Sequence, residues 1–327
     1  MNDAPDTAVI ILNWNGRCHL QDCLSTVLAQ RTHRQRVMVV DNGSTDDSVV
    51  LLRQMFPTVQ IIQTGKNLGF AEGNNVGIRQ ALQDPQIRYI AVLNNDTAVD
   101  GRWLESLIAV AEADKHIGAV GSRMMRFYER DVFDSAGDFV LAGTLKVVTR
   151  GAGERDRGQY RAVEECFSAR GGAALYRREM LEDVRLGHDY FDSHYFAYAE
   201  DSDLSIRARL RSWKIMYAPD AVVYHKVSAT TKTLSSDFMR YHTGRNRVLT
   251  TMKNLPFRLW VTALRGTAHG PSDESATVGY WRYVRIVGAV IWALPRLVRL
   301  RRLIQRRRTI SIHDILQWQK YFSIPHP

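Results

Sequence analysis

Asn94-Asn95-Asp96 places two amides and a carboxylate directly behind an apolar run, Tyr89 to Leu93, that has the pattern of a buried strand. Polar groups at such a position must meet solvent, one another or a ligand. A second polar cluster stands far along the chain in "YFAYAEDSDLSIRARL", where Glu200, Asp201 and Asp203 open an amphipathic helical pattern and negative charge is favoured by the helix dipole. A third element is His225, which closes the apolar run "AVVYH". Alone, each has an ordinary structural use. A turn Asp such as Asp41 caps the next helix, an acidic first turn pairs with Arg207 or Arg209, and a strand-end His makes a structural hydrogen bond. Together, a carboxylate after a strand, a second acidic cluster and a terminal imidazole supply the residue types of a divalent-metal site with a general base. The aromatic residues Tyr195, Phe196 and Tyr198 and the Gly171-Gly172 pair offer a pocket beside the second cluster.

The elements that would position these residues alternate along the chain. "AVIILN" (8–13), "RVMVVD" (36–41), "VQIIQ" (59–63) and "YIAVLN" (89–94) are short, β-branched runs, each followed by a turn and a segment of helical spacing. This predicts a parallel sheet wrapped by helices. Such sheets bind ligands at the carboxyl ends of their strands, so Asn13-Trp14-Asn15-Gly16, Asp41-Asn42-Gly43-Ser44 and Asn94-Asn95-Asp96 would gather on one edge. Two nucleotide signatures are excluded. No strand is followed by G-x-G-x-x-G, and "QIIQTGKN" has Gln60 and Asn67 where a P-loop needs Gly and Ser or Thr.

Composition bounds the class. With 327 residues, 45% hydrophobic and 24% charged, the chain can bury a sizeable core as one large domain or two smaller ones. The formal net charge is +10, of which +9 lies beyond residue 257, where 12 Lys and Arg face 3 Asp and Glu. Cys18, Cys23 and Cys166 form no zinc spacing, which fits a reducing compartment. The first residues lack the pattern of an export signal, and a cytoplasmic protein is expected.

The motifs "VIILNWNG", "VMVVDNGSTDDS", "GKNLGFAEGNNVGI", "YIAVLNNDTAVD", "SARGGAALYRREM", "YFAYAEDSDLSIRARL" and "PDAVVYH" occur in this order between Val9 and His225. As a set they resemble the family 2 glycosyltransferases of GT-A fold, within them the bacterial rhamnosyltransferase-like branch. The resemblance implies a Rossmann-like, mostly parallel sheet flanked by helices, with a basic helical C-terminal extension. It implies that Asp96 and His225 hold Mn²⁺ or Mg²⁺ against a donor diphosphate, imidazole favouring Mn²⁺. The usual D-x-D is here Asn94-Asn95-Asp96, which leaves Asp96 as the sole carboxylate of that turn. It further implies that Asp41 accepts from a pyrimidine N–H, that Asn13, Asn15, Asn67, Gly69, Asn75 and Asn95 contact the nucleotide-sugar donor, and that Asp201 is the base. Gly171, Gly172 and Glu200 would face a glycan or lipid-linked acceptor, although a tight structural turn explains the glycine pair equally well. The expected reaction is an inverting transfer of L-rhamnose from dTDP-L-rhamnose in cell-surface polysaccharide synthesis. The alternatives are a UDP-hexose or UDP-galactofuranose transferase of the same fold, and, from another class, an inactive membrane-bound scaffold.

The expected organisation is a catalytic domain over residues 1–227, its nucleotide half about 1–125 and its acceptor half about 126–227, then a connecting segment 228–257 and a basic amphipathic region 258–327. In the last, the apolar run Ile286 to Leu294 stops at Pro295, far short of the roughly 20 residues that span a bilayer. Trp, Ile and Leu beside Arg suit an interfacial helix on an anionic membrane surface, at the inner face of the cell membrane. A helix covering the core or a homodimer partner is the competing reading, and no nucleic-acid reader motif accompanies the charge. Tyr241, His242, Arg245 and Asn246 of the connecting segment are expected to close over the donor diphosphate.

Overall fold

The apolar runs form strands because both of their faces find cover. In β1 (Thr7–Asn13) the side chains alternate, Ala8 and Ile10 entering one buried apolar layer and Val9 and Ile11 the other, so the run is apolar throughout. The computed structural model describes residues 6–30, 35–141, 146–226, 236–260 and 276–324. The expected boundary at residues 227 and 228 lies outside the described residues.

Around β1 stand β2 (Gln35–Asp41), β3 (Gln60–Gln63) and β4 (Tyr89–Asn94), all parallel in the order β3-β2-β1-β4. Their crossovers are α1 (Arg17–Leu28), α2 (Ser48–Met55) and α3 (Gly69–Ala81). After β4 come β5 (Thr97–Val99), α4 (Trp103–Glu112) and β6 (Ile117–Arg126). An excursion follows through β7 (Phe133–Ser135), β8 (Asp138–Leu141), β9 (Val147–Thr149) and β10 (Glu164–Glu165). Of these, β7 pairs with β6 and β10 joins the outer edge of the main sheet, while β8 and β9 pair with each other apart from it. β11 (Ala173–Arg177) then runs antiparallel between β4 and β6. α5 (Arg178–Val184), α6 (Glu200–Leu210) and β12 (Lys214–His225) complete this part, β12 lying parallel to β6. The sheet is therefore parallel at the edge formed by the first four strands and mixed beyond it.

The C-terminal region packs onto this frame. α7 (Ser236–Asn254) and α8 (Ala276–Arg307) lie together, and α8 stays continuous through Pro295. α9 (Ile312–Tyr321) sets Trp318 edge-on against Phe167, and β13 (Ser323–Ile324) pairs parallel with β8. Leu300, Ile304, Ile315, Trp318 and Phe322 are buried in the same apolar layer as β1.

α3 approaches the sheet closely because its inner face is small. A Cβ on Gly77 would stand 2.7 Å from Ile10 Cγ2 and 3.0 Å from Val40 Cγ2, and one on Gly73 would stand 2.5 Å from Leu12 Cδ1. Gly77→Leu is expected to lower the unfolding free energy by about 1–3 kcal/mol through overpacking, read as an earlier midpoint in urea. An unchanged midpoint would show that the α3 and β1 layers have slack.

Candidate active site

Strand register brings the polar ends of β1, β2 and β4 together. Asn13 is level with Asp41, and Leu12 with Asn94. Asn13 Nδ2 donates to Asp41 Oδ1 (3.3 Å) and Ser44 Oγ (3.2 Å), while Asn95 Nδ2 donates to Asn13 Oδ1 (2.7 Å). Asn13, Asp41 and Asn95 are buried and Ser44 is partly so. Asp41 Oδ2 accepts from the Ser44 N–H (3.3 Å), which leaves acceptor capacity on a carboxylate with about four lone-pair sites. Gly16 has no room for a side chain, since a Cβ there would collide with the Asn95 amide. Asn15 holds the facing turn, accepting at Oδ1 from the Thr45 N–H (2.8 Å). Asn67 Oδ1 accepts from Asn42 Nδ2 (3.2 Å) and the Gly69 N–H (2.8 Å). Gly69, at φ +82°, lies against the Phe196 carbonyl.

Asp96 and His225 meet because β5 pairs antiparallel with β12, His225 opposite Thr97. His225 Nε2 lies 3.3 Å from Asp96 Oδ1, and Nδ1 lies 2.9 Å from Asp134 Oδ2 on β7. Burial pulls the imidazole pKa down, but hydrogen bonds to Asp134 and Asp96 and their negative charge outweigh it and push it up to about 9. Burial also opposes ionisation of Asp96, and the bond from His225 and its charge reverse this and lower the carboxyl below its ordinary value. Asp134 behaves alike, with Arg170 also contributing. The 3.3 Å separation between Nε2 and Oδ1 fits two adjacent ligands of one cation, which stand about 3 Å apart when each is about 2.1 Å from it. Among the described residues no group of three or more His, Cys, Asp or Glu side chains is arranged to hold a metal. A cation held by this pair would need its other ligands from outside the described side chains.

Asp201 is tied to the turn that precedes β11. Its Oδ2 accepts from the Gly171 N–H (2.9 Å) and its Oδ1 from the Ser202 N–H (2.6 Å). The neighbouring Gly172 carbonyl accepts from the Asn94 N–H (2.9 Å), so one tight turn joins the end of β4 to the carboxylate. A Cβ on Gly171 would press on Asp201 Cβ at 3.3 Å, and one on Gly172 on Asn94 Nδ2 at 3.2 Å. The glycine pair thus has a packing role at this junction.

Four expected residues make other contacts. Asn75 sits in the middle of α3, fully buried, with Nδ2 donating to the Phe191 carbonyl (2.8 Å) and Oδ1 accepting from the Phe191 N–H (2.9 Å). It clips the chain before α6 to α3 and does not reach the edge. Glu200 is buried beneath the surface expected to face the acceptor; Oε2 has no hydrogen-bond partner. Burial first, then the charge of Asp201, raises its pKa well above the ordinary range. Asn246 is buried with its amide turned onto the carbonyls of Tyr195, Ala197 and Tyr198, which takes it away from a diphosphate, and the Arg245 guanidinium is buried and donates to the His194 carbonyl (3.1 Å). Asp203 pairs with Arg207 (2.9 Å), as its acidic first turn predicts. Sequence reasoning placed Asn42 at the edge without giving it a role, and missed Asp134. Asn42 lies inside the "DNGS" turn and its amide spans Asn67, Leu68 and Gly69. Asp134 belongs to no motif and had no signal.

Comparison with known proteins decides the family. The sequence profile described as "Glycosyl transferase family 2" matches residues 8–185. The chain belongs to glycosyl transferase family 2. An N-acetylglucosaminyl-diphospho-decaprenol L-rhamnosyltransferase of Mycobacterium tuberculosis is 27% identical over 252 residues, 72% of this chain and 80% of the relative. A poly-β-1,6-N-acetyl-D-glucosamine synthase of Staphylococcus aureus is 24% identical over 80% of this chain and 63% of its own length. Among solved structures, S. aureus TarS 1–349 in complex with UDP-GlcNAc matches with a TM-score of 0.59 at 17% identity, covering 96% of this chain and 90% of that one. The mannosyltransferase PcManGT of Pyrobaculum calidifontis, in complex with GDP-Man and Mn²⁺, matches at 0.55 and 17%, covering 97% and 85%. The fold of this glycosyltransferase is GT-A, as the resemblance implied.

The His225 cluster makes stability pH-dependent. A His whose pKa rises from 6.5 to about 9 on folding stabilises fully below the lower value and loses that stabilisation as pH rises through the higher. The depressed carboxylates act in the opposite sense and withdraw support as pH falls through their range. In chelator, the melting-temperature gap between this glycosyltransferase and its His225→Gln variant should be widest near pH 6. The gap corresponds to on the order of 3 kcal/mol at most and should close toward pH 9. A gap constant from pH 6 to 9 would rule out a charged His225.

Proposed function

We propose that this glycosyltransferase is inverting and divalent-metal-dependent, and that it moves L-rhamnose from dTDP-L-rhamnose to a polyprenyl-diphosphate-linked glycan. The observation that carries the reading is the pairing of Asp96 with His225 just beyond β4, together with the turn at residues 171 and 172 that links Asp201 to the end of the same strand.

Asp41 is suited to accept from a pyrimidine ring N–H, because Asn13 and the Ser44 N–H hold its carboxylate while lone pairs remain. Asn13, Asn15, Asn95, Asn67 and Gly69 shape the surround of base and ribose, and Gly69 lets a backbone approach closely. Asp96 and His225 would hold the cation, Mn²⁺ in preference to Mg²⁺ for a set that includes imidazole. A bound cation would offset charge gathering on the leaving diphosphate. Asp201, oriented by the Gly171 N–H, takes the proton from the acceptor hydroxyl as that oxygen attacks the anomeric carbon from the face opposite the diphosphate. One carboxylate suffices because the leaving group needs no protonation, in contrast to the two-carboxylate arrangement of glycoside hydrolases. The rhamnosyl group and the lipid-linked acceptor follow the mycobacterial relative, whose own name carries both; the dTDP carrier follows the family resemblance.

A lipid-linked acceptor also fits α8. Its outer face exposes Trp281, Ile291, Trp292 and Val298, and the helix carries eight Arg and no acidic residue. Among the described residues no helix is long and apolar enough to cross a membrane. The composition suits an interfacial position on anionic lipid at the inner membrane face. The Trp281→Ser/Trp292→Ser double variant should fail to sediment with phosphatidylglycerol vesicles that bring down the wild type. Wild type left in the supernatant, with a dimer's mass in solution, would assign the face to a second copy of the chain.

Calorimetric titration with dTDP, UDP and GDP, each with Mn²⁺ and with chelator, tests the site. Metal-dependent binding with dTDP ahead of UDP is expected, and Asp96→Ala should weaken it by at least about tenfold. Asp201→Asn should retain that binding while turnover falls by about 10²–10⁴-fold. Equal affinity with and without Mn²⁺ would remove the metal assignment, and normal turnover by Asp201→Asn the base. No nucleotide binding at all would favour a scaffold.

A further inference from the structure

The chain entering Asp201 is strained, and something must hold it. Phe196 has φ +63° and ψ −64°, with the Ala197 N–H donating back to the Tyr195 carbonyl (2.8 Å), a three-residue turn of the rare positive-φ kind. Tyr198 (φ +72°) and Ala199 (φ +67°) follow, so three residues bearing side chains adopt a backbone that favours glycine immediately before α6. Strain of this kind persists only where its surroundings enforce it.

The enforcement comes from α7. Asn246, Thr250, Lys253 and Asn254 lie on one face of that helix at spacings of four, three and one residues, and all are buried. Asn246 Nδ2 donates to three carbonyls of the strained loop, Tyr195 (3.0 Å), Ala197 (2.8 Å) and Tyr198 (2.8 Å). Its Oδ1 accepts from Arg245 Nη1 (3.0 Å), which fixes the amide's orientation. Thr250 Oγ1 meets the Tyr195 hydroxyl at 2.8 Å. Lys253 Nζ bridges Asp192 (2.5 Å) and Asp203 (2.9 Å), and Asn254 Nδ2 donates to Asp203 Oδ1 (2.7 Å). On its other side the loop meets the donor edge, where the Phe196 carbonyl accepts from the Ala71 N–H (3.1 Å).

We propose that Asn246 is a positioning residue for transfer: by holding the carbonyls of Tyr195, Ala197 and Tyr198 it fixes the strained loop that sets Asp201 against Gly171 and Phe196 against the donor turn. This rests on Asp201 being the base. The Asn246 amide is buried and spent on main-chain carbonyls and Arg245, so it acts through the loop. Its role is to keep the carboxylate within the narrow range of positions from which proton removal is efficient, where a displacement of about 1 Å can cost on the order of 10²-fold in rate.

The test uses the full chain and the nucleotide sugar that the wild type turns over, read as released nucleoside diphosphate. In Asn246→Ala, the amides of residues 195–201 should exchange with deuterium at least about tenfold faster, with the sheet unchanged. The kcat should fall about 10–100-fold while dTDP affinity with Mn²⁺ stays within about threefold. Wild-type kcat would overturn the proposal, and so would nucleotide affinity falling in step with kcat, because Asn246 would then serve the donor directly. If Asn246→Ala does not fold, Thr250→Val removes one hydroxyl from the same brace. Lower kcat at unchanged nucleotide affinity supports the proposal there, and wild-type kcat refutes it. Asp201→Asn, run alongside, separates the two readings: turnover by that variant removes the base whatever Asn246 does.

Discussion

A strand covered on both faces can carry a polar side chain only where its cover stops. β1, β2 and β4 are sealed by apolar layers above and below, so Asn13, Asp41 and Asn94-Asn95-Asp96 are confined to the one place where a hydrogen-bonding partner can be found. The parallel register then aligns those ends. The amides and carboxylates satisfy one another, Asn95 to Asn13 to Asp41, and that mutual satisfaction preorganises them. Much of the site's rigidity is thus a by-product of solving a burial problem.

Charge is handled differently at the two sides of the molecule. At the sheet edge, His225 lies between Asp96 and Asp134, a positive centre flanked by two negative ones, and a cation held there as proposed above would replace its proton. Behind α6, Asp192 and Asp203 are sealed from water and matched by Lys253, Arg207 and Arg296. Breaking one member of such a sealed set leaves an uncompensated charge. The first cluster is built to change its partner and the second to keep its own. Through the second, α7 and α8 belong to the same mechanical unit as α6, although composition alone sets them apart as a basic tail.

What was legible in the sequence follows the range of the interactions. β1, β2 and β4 announce themselves through local apolar runs, and the turns behind them through residue type, so the parallel edge and Asp41, Asp96 and Asp201 could be singled out without coordinates. The resemblance supplied roles that spacing alone could not. Asn75 and Asn246 show where that stops. Each is an Asn in a helix with a polar side chain to place, and nothing local says whether it turns to a ligand or to a distant carbonyl. In both cases the partner lies about 50 residues or more away, at Phe191 and at Tyr195 to Tyr198. Asp134 was invisible for the same reason: its partner, His225, is 91 positions distant.

The pairing of β13 with β8 has a consequence for how the molecule is made. β8 leaves the ribosome with β9 on one edge; on the other, Asp138 is bridged by Ser168, and Val140 and Leu141 wait for residues 323 and 324. At about 5–20 residues per second, roughly ten to forty seconds of translation separate the two strands. Through that interval Phe167 also lacks the rings of Trp318 and Phe322 that later cover it. An uncapped strand edge beside an uncovered aromatic is a template for wrong pairing between nascent chains. The last turn of helix and strand therefore acts as a closing latch, and a polysome carrying this message is where its absence would be felt.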